Sequence, residues 1–140
     1  MYVNVVVDDD LDRGVALAAG AITSFARFSV MHGKVNGPVS DADRATLEGL
    51  PGDYQMSKHD RSVNPAAQRG LDLADSFAII GPAAYCCERL LELAELGVDR
   101  FYVFGPSLDA DPDAANNAVK RFTDRVLPKL VVSERTSPPG

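Results

Sequence analysis

The chain predicts an α/β fold built on a parallel sheet, with about three strands and flanking helices. Two observations carry most of that expectation. A short apolar phrase, Phe77-Ala78-Ile79-Ile80-Gly81-Pro82, returns 24 residues later as Phe101-Tyr102-Val103-Phe104-Gly105-Pro106, and each copy runs into a helical pattern. The chain also opens on an apolar strand that leads into a long amphipathic helix. An apolar run stopped by Gly-Pro and followed by a helix is a buried strand, a turn and a crossover helix, the unit of parallel sheets. The two phrases are therefore expected as adjacent strands running the same way, with chemistry at their carboxyl ends.

Each element has its own warrant. Tyr2 to Val7 is β-branched and apolar with a single Asn4, and Asp8, Asp9 and Asp10 end it. Those carboxylates suit a helix start, where orphan N–H groups and the macrodipole favour negative charge; a metal site is the rarer alternative. Leu11, Val15, Ala18, Ala19, Ile22, Phe25 and Ala26 recur at helical spacing, so the helix is expected to run to about His32-Gly33. Ser40-Asp41-Ala42-Asp43 has the form of a capping box for a short helix through Leu50, stopped by Pro51-Gly52. Tyr54 to Val63 lacks periodicity and reads as an exposed loop, and Asn64-Pro65 starts a further helix. After the first phrase a helix spans about Ala83 to Leu96, with Gly97 at its left-handed cap. After the second, Asp111-Pro112 starts a helix that ends before Pro128, and residues 131–140 are expected as a flexible tail behind a domain of residues 1–130.

Composition narrows the class. The 140 residues are 46% hydrophobic and 24% charged, as in a folded protein with a sizeable core. The net charge is −6 with Lys and Arg scattered, which argues against a nucleic-acid surface. No apolar run approaches the roughly 20 residues of a membrane span. Cys86 and Cys87 are neighbours whose side chains diverge by about 100° on a helix, so they are expected as one core thiol and one at the helix flank. Free thiols fit a reducing cytoplasm.

From Phe77 onward the order becomes more specific. Phe-Ala-Ile-Ile-Gly-Pro, Tyr85-Cys86-Cys87-Glu88-Arg89-Leu90, Glu95-Leu96-Gly97-Val98-Asp99, a second strand and Val126-Leu127-Pro128-Lys129-Leu130 resemble the closing segment of luciferase-like monooxygenases. The resemblance implies the carboxyl-terminal part of a (β/α)8 barrel that uses FMN or F420 for hydride transfer or monooxygenation of a small-molecule substrate. A complete barrel needs roughly 250 residues, so most cofactor contacts are expected outside this chain. Pairing with the missing half-barrel, or self-association, is expected in turn. The alternative is a non-catalytic α/β half-barrel module that associates through its open sheet.

Under the resemblance, Gly81 and Gly105 become cofactor-binding candidates, because helix N–H groups behind them could face an anion. The plain alternative is that glycine and proline only make the turn, since Pro82 and Pro106 each remove a donor. Lys58, His59 and Arg61 gather two cations and an imidazole on one loop, as a substrate-side rim for an anionic ligand would. A solvated surface loop is the alternative there. His32 reads as structural, near a helix end. Ser24 has no histidine pattern near it in sequence to suggest a nucleophile.

Overall fold

The computed structural model describes residues 1–32, 34–35 and 39–134. It contains β1 (Tyr2–Val7), α1 (Leu11–Phe28), α2 (Asp41–Asp53), a 3₁₀ turn (Met56–Lys58), α3 (Ala67–Leu71), α4 (Ala74–Phe77) and β2 (Ala78–Gly81). There follow α5 (Ala83–Glu95), β3 (Tyr102–Phe104), α6 (Pro112–Arg125) and α7 (Leu127–Glu134). The three strands form one parallel sheet in the order β2-β1-β3.

That order corrects one expectation. The two Gly-Pro strands do run the same way in one sheet, but they are not neighbours, because β1 lies between them. The physical reason is in their side chains. β1 is the one strand with five consecutive buried residues, Val3 to Val7, so it takes the centre, where both faces are covered. β3 is three residues long, and its Tyr102, Val103 and Phe104 are all exposed, which suits an edge.

The pleat sorts the core with a period of two. Val6 and Ile80 pack with Leu17, Ala18 and Ile22 of α1 and with Leu47, Leu50 and Leu73. Val3, Val5, Val7 and Ile79 face the opposite way, against Cys86 and Leu90 of α5 and against Val126. Helices therefore cover both faces of β1. The approach of α1 is close: a Cβ added at Gly14 would lie 2.5 Å from Ile80 Cγ2. Each fully buried aliphatic side chain contributes about 1.5–3 kcal/mol, so the α1 face dominates the hydrophobic stabilisation.

The helix ends follow the capping chemistry. Asp10 accepts from Arg13 N–H at 3.0 Å, Ser40 from Asp43 N–H at 3.0 Å, and Asp111 from Ala114 N–H at 2.9 Å. Gly97 takes the left-handed φ of 99° expected of it. Several bounds move. α1 stops at Phe28, and a turn leads to an exposed His32; the expected terminus at Gly33 lies outside the described residues. α2 carries Pro51 within its last turn and runs on to Asp53. α6 does end before Pro128, at Arg125, and Pro128 falls in the first turn of a further helix, α7, where a missing N–H is tolerated and which runs to Glu134. Only residues 135–140 of the expected tail lie outside the description. Both cysteines are buried free thiols, Cys86 and Cys87 packing in one cluster with Leu90 and Val126. Among the described residues no helix is long and apolar enough to cross a membrane.

Candidate functional site

A groove of about 660 Å³ lies beside the edge strand, lined by Tyr2, Ser24, Phe25, Phe28, His59, Asp60 and Phe104. Its walls are mostly rings. Phe104 meets Phe25 edge-on with centroids 5.2 Å apart, and Tyr2 lies 5.9 Å from Phe104 and stacks on Tyr102 at 5.1 Å. The sheet sets this wall, because Tyr2 and Asn4 of β1 stand beside Tyr102 and Phe104 of β3. The end of α1 supplies Phe25 and Phe28. A volume in this range with aromatic walls and a few convergent polar groups suits a small organic ligand.

The polar side is the loop from Tyr54 to Val63, which is exposed or half-buried along its length. It is held from three directions. The buried Asn64 carboxamide donates to Gln55 and Lys58 C=O at 2.9 and 3.1 Å and accepts from Gln55 N–H at 3.2 Å. The Asp109 carboxylate accepts from Ser62 N–H, Ser62 Oγ–H and Val63 N–H at 2.7, 3.0 and 3.1 Å. Burial pushes the Asp109 carboxyl up, and these bonds outweigh it, so it sits below the ordinary value of 3.8. Finally, Asp60 N–H donates to Ser24 Oγ at 3.1 Å, and Asp60 C=O accepts from Leu108 N–H at 2.9 Å. Between those two bonds Asp60 holds a left-handed φ of 55°, a strain that non-glycine residues carry only where the surroundings enforce it.

His59 is oriented by the same construction. Its Nδ1 shares a hydrogen bond with the Tyr54 hydroxyl, which lies 3.1 Å from Ser24 Oγ; Ser24 in turn donates to Gly20 C=O at 3.1 Å. The other ring nitrogen, Nε2, lies 3.6 Å from Asp60 Oδ2, so the imidazole is held between the Tyr54 hydroxyl and a carboxylate at the groove wall. Arg27 covers the Tyr54 ring from 4.8 Å and completes the support.

The other candidates fall elsewhere. Lys58 and Arg61 share the loop with His59 but do not line the groove, and Arg61 uses its backbone to pack on Gly20. Gly81 and Gly105 are not brought together. Val7 pairs with Gly81 and Asn4 with Phe104, so Gly105 stands two residues lower along the sheet, roughly 7 Å. Gly81 is a packing residue: its φ is 154°, and a Cβ there would lie 2.9 Å from Tyr85 Cδ1.

The carboxyl edge of β1 is occupied by its own charges. Asp8 is buried and held by Arg13 at 2.6 and 2.7 Å and by Asp10 N–H at 2.9 Å, with Arg121 at 3.5 Å. The Arg13 hydrogen bonds hold the Asp8 carboxyl below its usual range against the opposing effect of burial. The acidic triplet is thus a cap and an ion pair, and among the described residues no three His, Cys, Asp or Glu side chains converge as a metal set would.

Sequence reasoning missed Tyr2, Ser24, Phe25, Tyr54 and Phe104, since nothing local marks residues that meet across 20 to 100 positions. Comparison with known proteins gave no matching family model, no matching curated protein and no matching solved structure.

Proposed function

We propose that the chain is an oxidoreductase of the luciferase-like type, acting in the cytoplasm as the carboxyl-terminal portion of an FMN- or F420-dependent barrel. The observation that carries this reading is the aromatic groove with an oriented imidazole on its wall. The rings of Tyr2, Phe25 and Phe104 suit a flat ring system, and the His59 imidazole on the same wall suits proton transfer alongside hydride transfer. Bound FMN or F420 would supply the hydride or oxygen chemistry itself. The fit is to the ring only. No Lys or Arg lines the groove, so a cofactor phosphate would be held by residues beyond this chain.

The strand order β2-β1-β3 departs from the sequential order of a barrel, so the reading requires a rearrangement. In a barrel each strand pairs with its successor, so β3 would lie beside β2, and a preceding strand would take the free edge of β1. Without that strand the edge of β1 is open, and β3 covers it. Supplying the amino-terminal half-barrel should release β3 to its barrel position.

Titration of FMN and of F420, followed by cofactor fluorescence, tests the proposal with the chain alone and with an amino-terminal luciferase-like half-barrel. Saturable quenching that Phe104→Ala weakens supports it. No quenching in either setting overturns it.

One observation favours a second reading. Tyr102, Val103 and Phe104 are 50, 39 and 43% exposed on an open edge strand, which suits a non-catalytic module that pairs with another copy. Light scattering separates the two: concentration-dependent dimers without ring binding favour the module.

A further inference from the structure

We propose that the aromatic groove takes an organic cation, with its ammonium head at Asp60 and its apolar body along the rings. The inference goes beyond the cofactor reading and uses the groove alone. Tyr2, Phe25, Phe28 and Phe104 line it, and Asp60 brings a carboxylate to the same wall. Ring faces carry the negative side of an aromatic quadrupole, so rings and a carboxylate attract one class of ligand. Tyr2, Phe28 and Phe104 are exposed, which leaves ring surface open to it. Asp60 differs from Asp8 and Asp109, whose oxygens are taken up by hydrogen bonds. Its side chain is 32% exposed, and its ionic contact with His59 Nε2, at 3.6 Å, is longer than a hydrogen bond. The backbone of the same residue is fixed on both sides, by Ser24 Oγ and by Leu108 N–H. The carboxylate is thus presented from a fixed point with lone pairs to offer.

Charge then decides the ligand. Lys58 and Arg61 together suggested an anion, yet neither lines the groove, and Arg27 lies over the Tyr54 ring at 4.8 Å. An anion would meet Asp60 with no Lys or Arg on the groove wall to offset it. A neutral ligand would leave the carboxylate unused. An ammonium ion gains a charge-assisted bond to Asp60 and the ring faces together, and it breaks no existing hydrogen bond. At about 660 Å³ the groove has room for an apolar body behind that head. By contrast, Glu88, Glu92 and Glu95 line a crevice between α5 and α7 that already contains Lys129 and has no aromatic wall.

The test uses phenethylammonium, phenethyl alcohol and hydrocinnamate, which share an apolar body and differ in the charge of the head, measured by ligand-observed NMR at low salt. Wild type should bind the ammonium roughly tenfold more tightly than the alcohol, and the carboxylate most weakly. Asp60→Asn keeps the shape of the side chain and tolerates the left-handed φ of 55°. It should bring the ammonium to within about twofold of the alcohol and leave the alcohol within about twofold of its wild-type affinity. Phe104→Leu removes a ring from the exposed edge strand and should weaken the ammonium about threefold, the alcohol less. It carries the test should Asp60→Asn fail to melt cooperatively. Equal affinity for ammonium and alcohol in wild type, a preference that survives in Asp60→Asn, or no binding by any of the three overturns the inference. Ammonium binding without cofactor quenching leaves it standing and removes the oxidoreductase reading; quenching without an ammonium preference does the reverse.

Discussion

Gly20→Ala sets two well-known effects against each other at one position. In a helix interior, alanine is favoured over glycine by about 1 kcal/mol, and Gly20 lies within α1, so propensity alone predicts a more stable protein. The tertiary structure predicts the reverse. An added Cβ would lie 2.5 Å from Arg61 C, 2.7 Å from its N and 2.8 Å from its Cα, all backbone atoms that no rotamer change can move. The 54–64 loop must lift from α1. Overpacking of this kind costs about 1–3 kcal/mol. Lifting the loop also strains Asp60 N–H to Ser24 Oγ and Leu108 N–H to Asp60 C=O, at about 1 kcal/mol each. Against the propensity gain, the net expectation is a loss of about 2–4 kcal/mol. Urea unfolding followed by far-ultraviolet circular dichroism measures it. Gly52→Ala is the control, because nothing lies within 4 Å of a Cβ at that helical glycine, and it should be neutral or slightly stabilising. If Gly20→Ala proves as stable as wild type or more so, the loop is not seated on α1 as described, and the orientation of His59 loses its basis.

Three further outcomes follow from the same bonds. Asp109→Ala should cost about 1–2 kcal/mol in urea unfolding, through three lost hydrogen bonds to the loop. Asp8 and Asp109 both have folded-state values below 3.8, so their stabilisation is complete above the unfolded value and drains as pH falls through the folded ones; the acid limb should be shallower in Asp109→Ala, and an unchanged limb would count against the loop contacts. Burial pushes the Cys86 thiol up to about 11 from 9.0, so stability should be full below pH 9 and fall by about 2–3 kcal/mol as pH rises toward 11, a fall absent from Cys86→Ala. In native protein at neutral pH neither cysteine should react with a bulky thiol reagent, since both are buried; rapid labelling would mean that α5 does not cover the sheet.

What the sequence disclosed was local. Asp10, Ser40 and Asp111 cap the helices expected of them, Gly97 takes its left-handed turn, and three parallel strands stand where three apolar runs were read. Strand order was not legible, because Phe77-Ala-Ile-Ile and Phe101-Tyr-Val-Phe share a pattern while differing in what covers them. The aliphatic copy is buried, and the aromatic copy stands at an exposed edge. The loop was hidden for a similar reason. Its order comes from Asn64, Asp109 and Ser24, none of which marks its partner in sequence. Gly20 was the available clue, a glycine inside a strongly helical pattern, which commonly signals another backbone at close range.

The placement of function follows from which polar groups are already satisfied. Ligands of parallel sheets usually sit at the carboxyl ends of strands, because backbone groups and loops converge there. In this protein that edge is closed by its own chemistry. Asp8 is saturated by Arg13 and Asp10, Asp8 N–H occupies Gly81 C=O at 3.0 Å, and the prolines after Gly81 and Gly105 remove donors. An incoming anion would have to displace bonds that stabilise the fold. On the α1 face the balance is opposite. An oriented imidazole borders the groove beside the rings of Phe25 and Phe104. A ligand there forms new bonds without breaking old ones. That difference in what binding must disrupt argues for the groove over the strand ends.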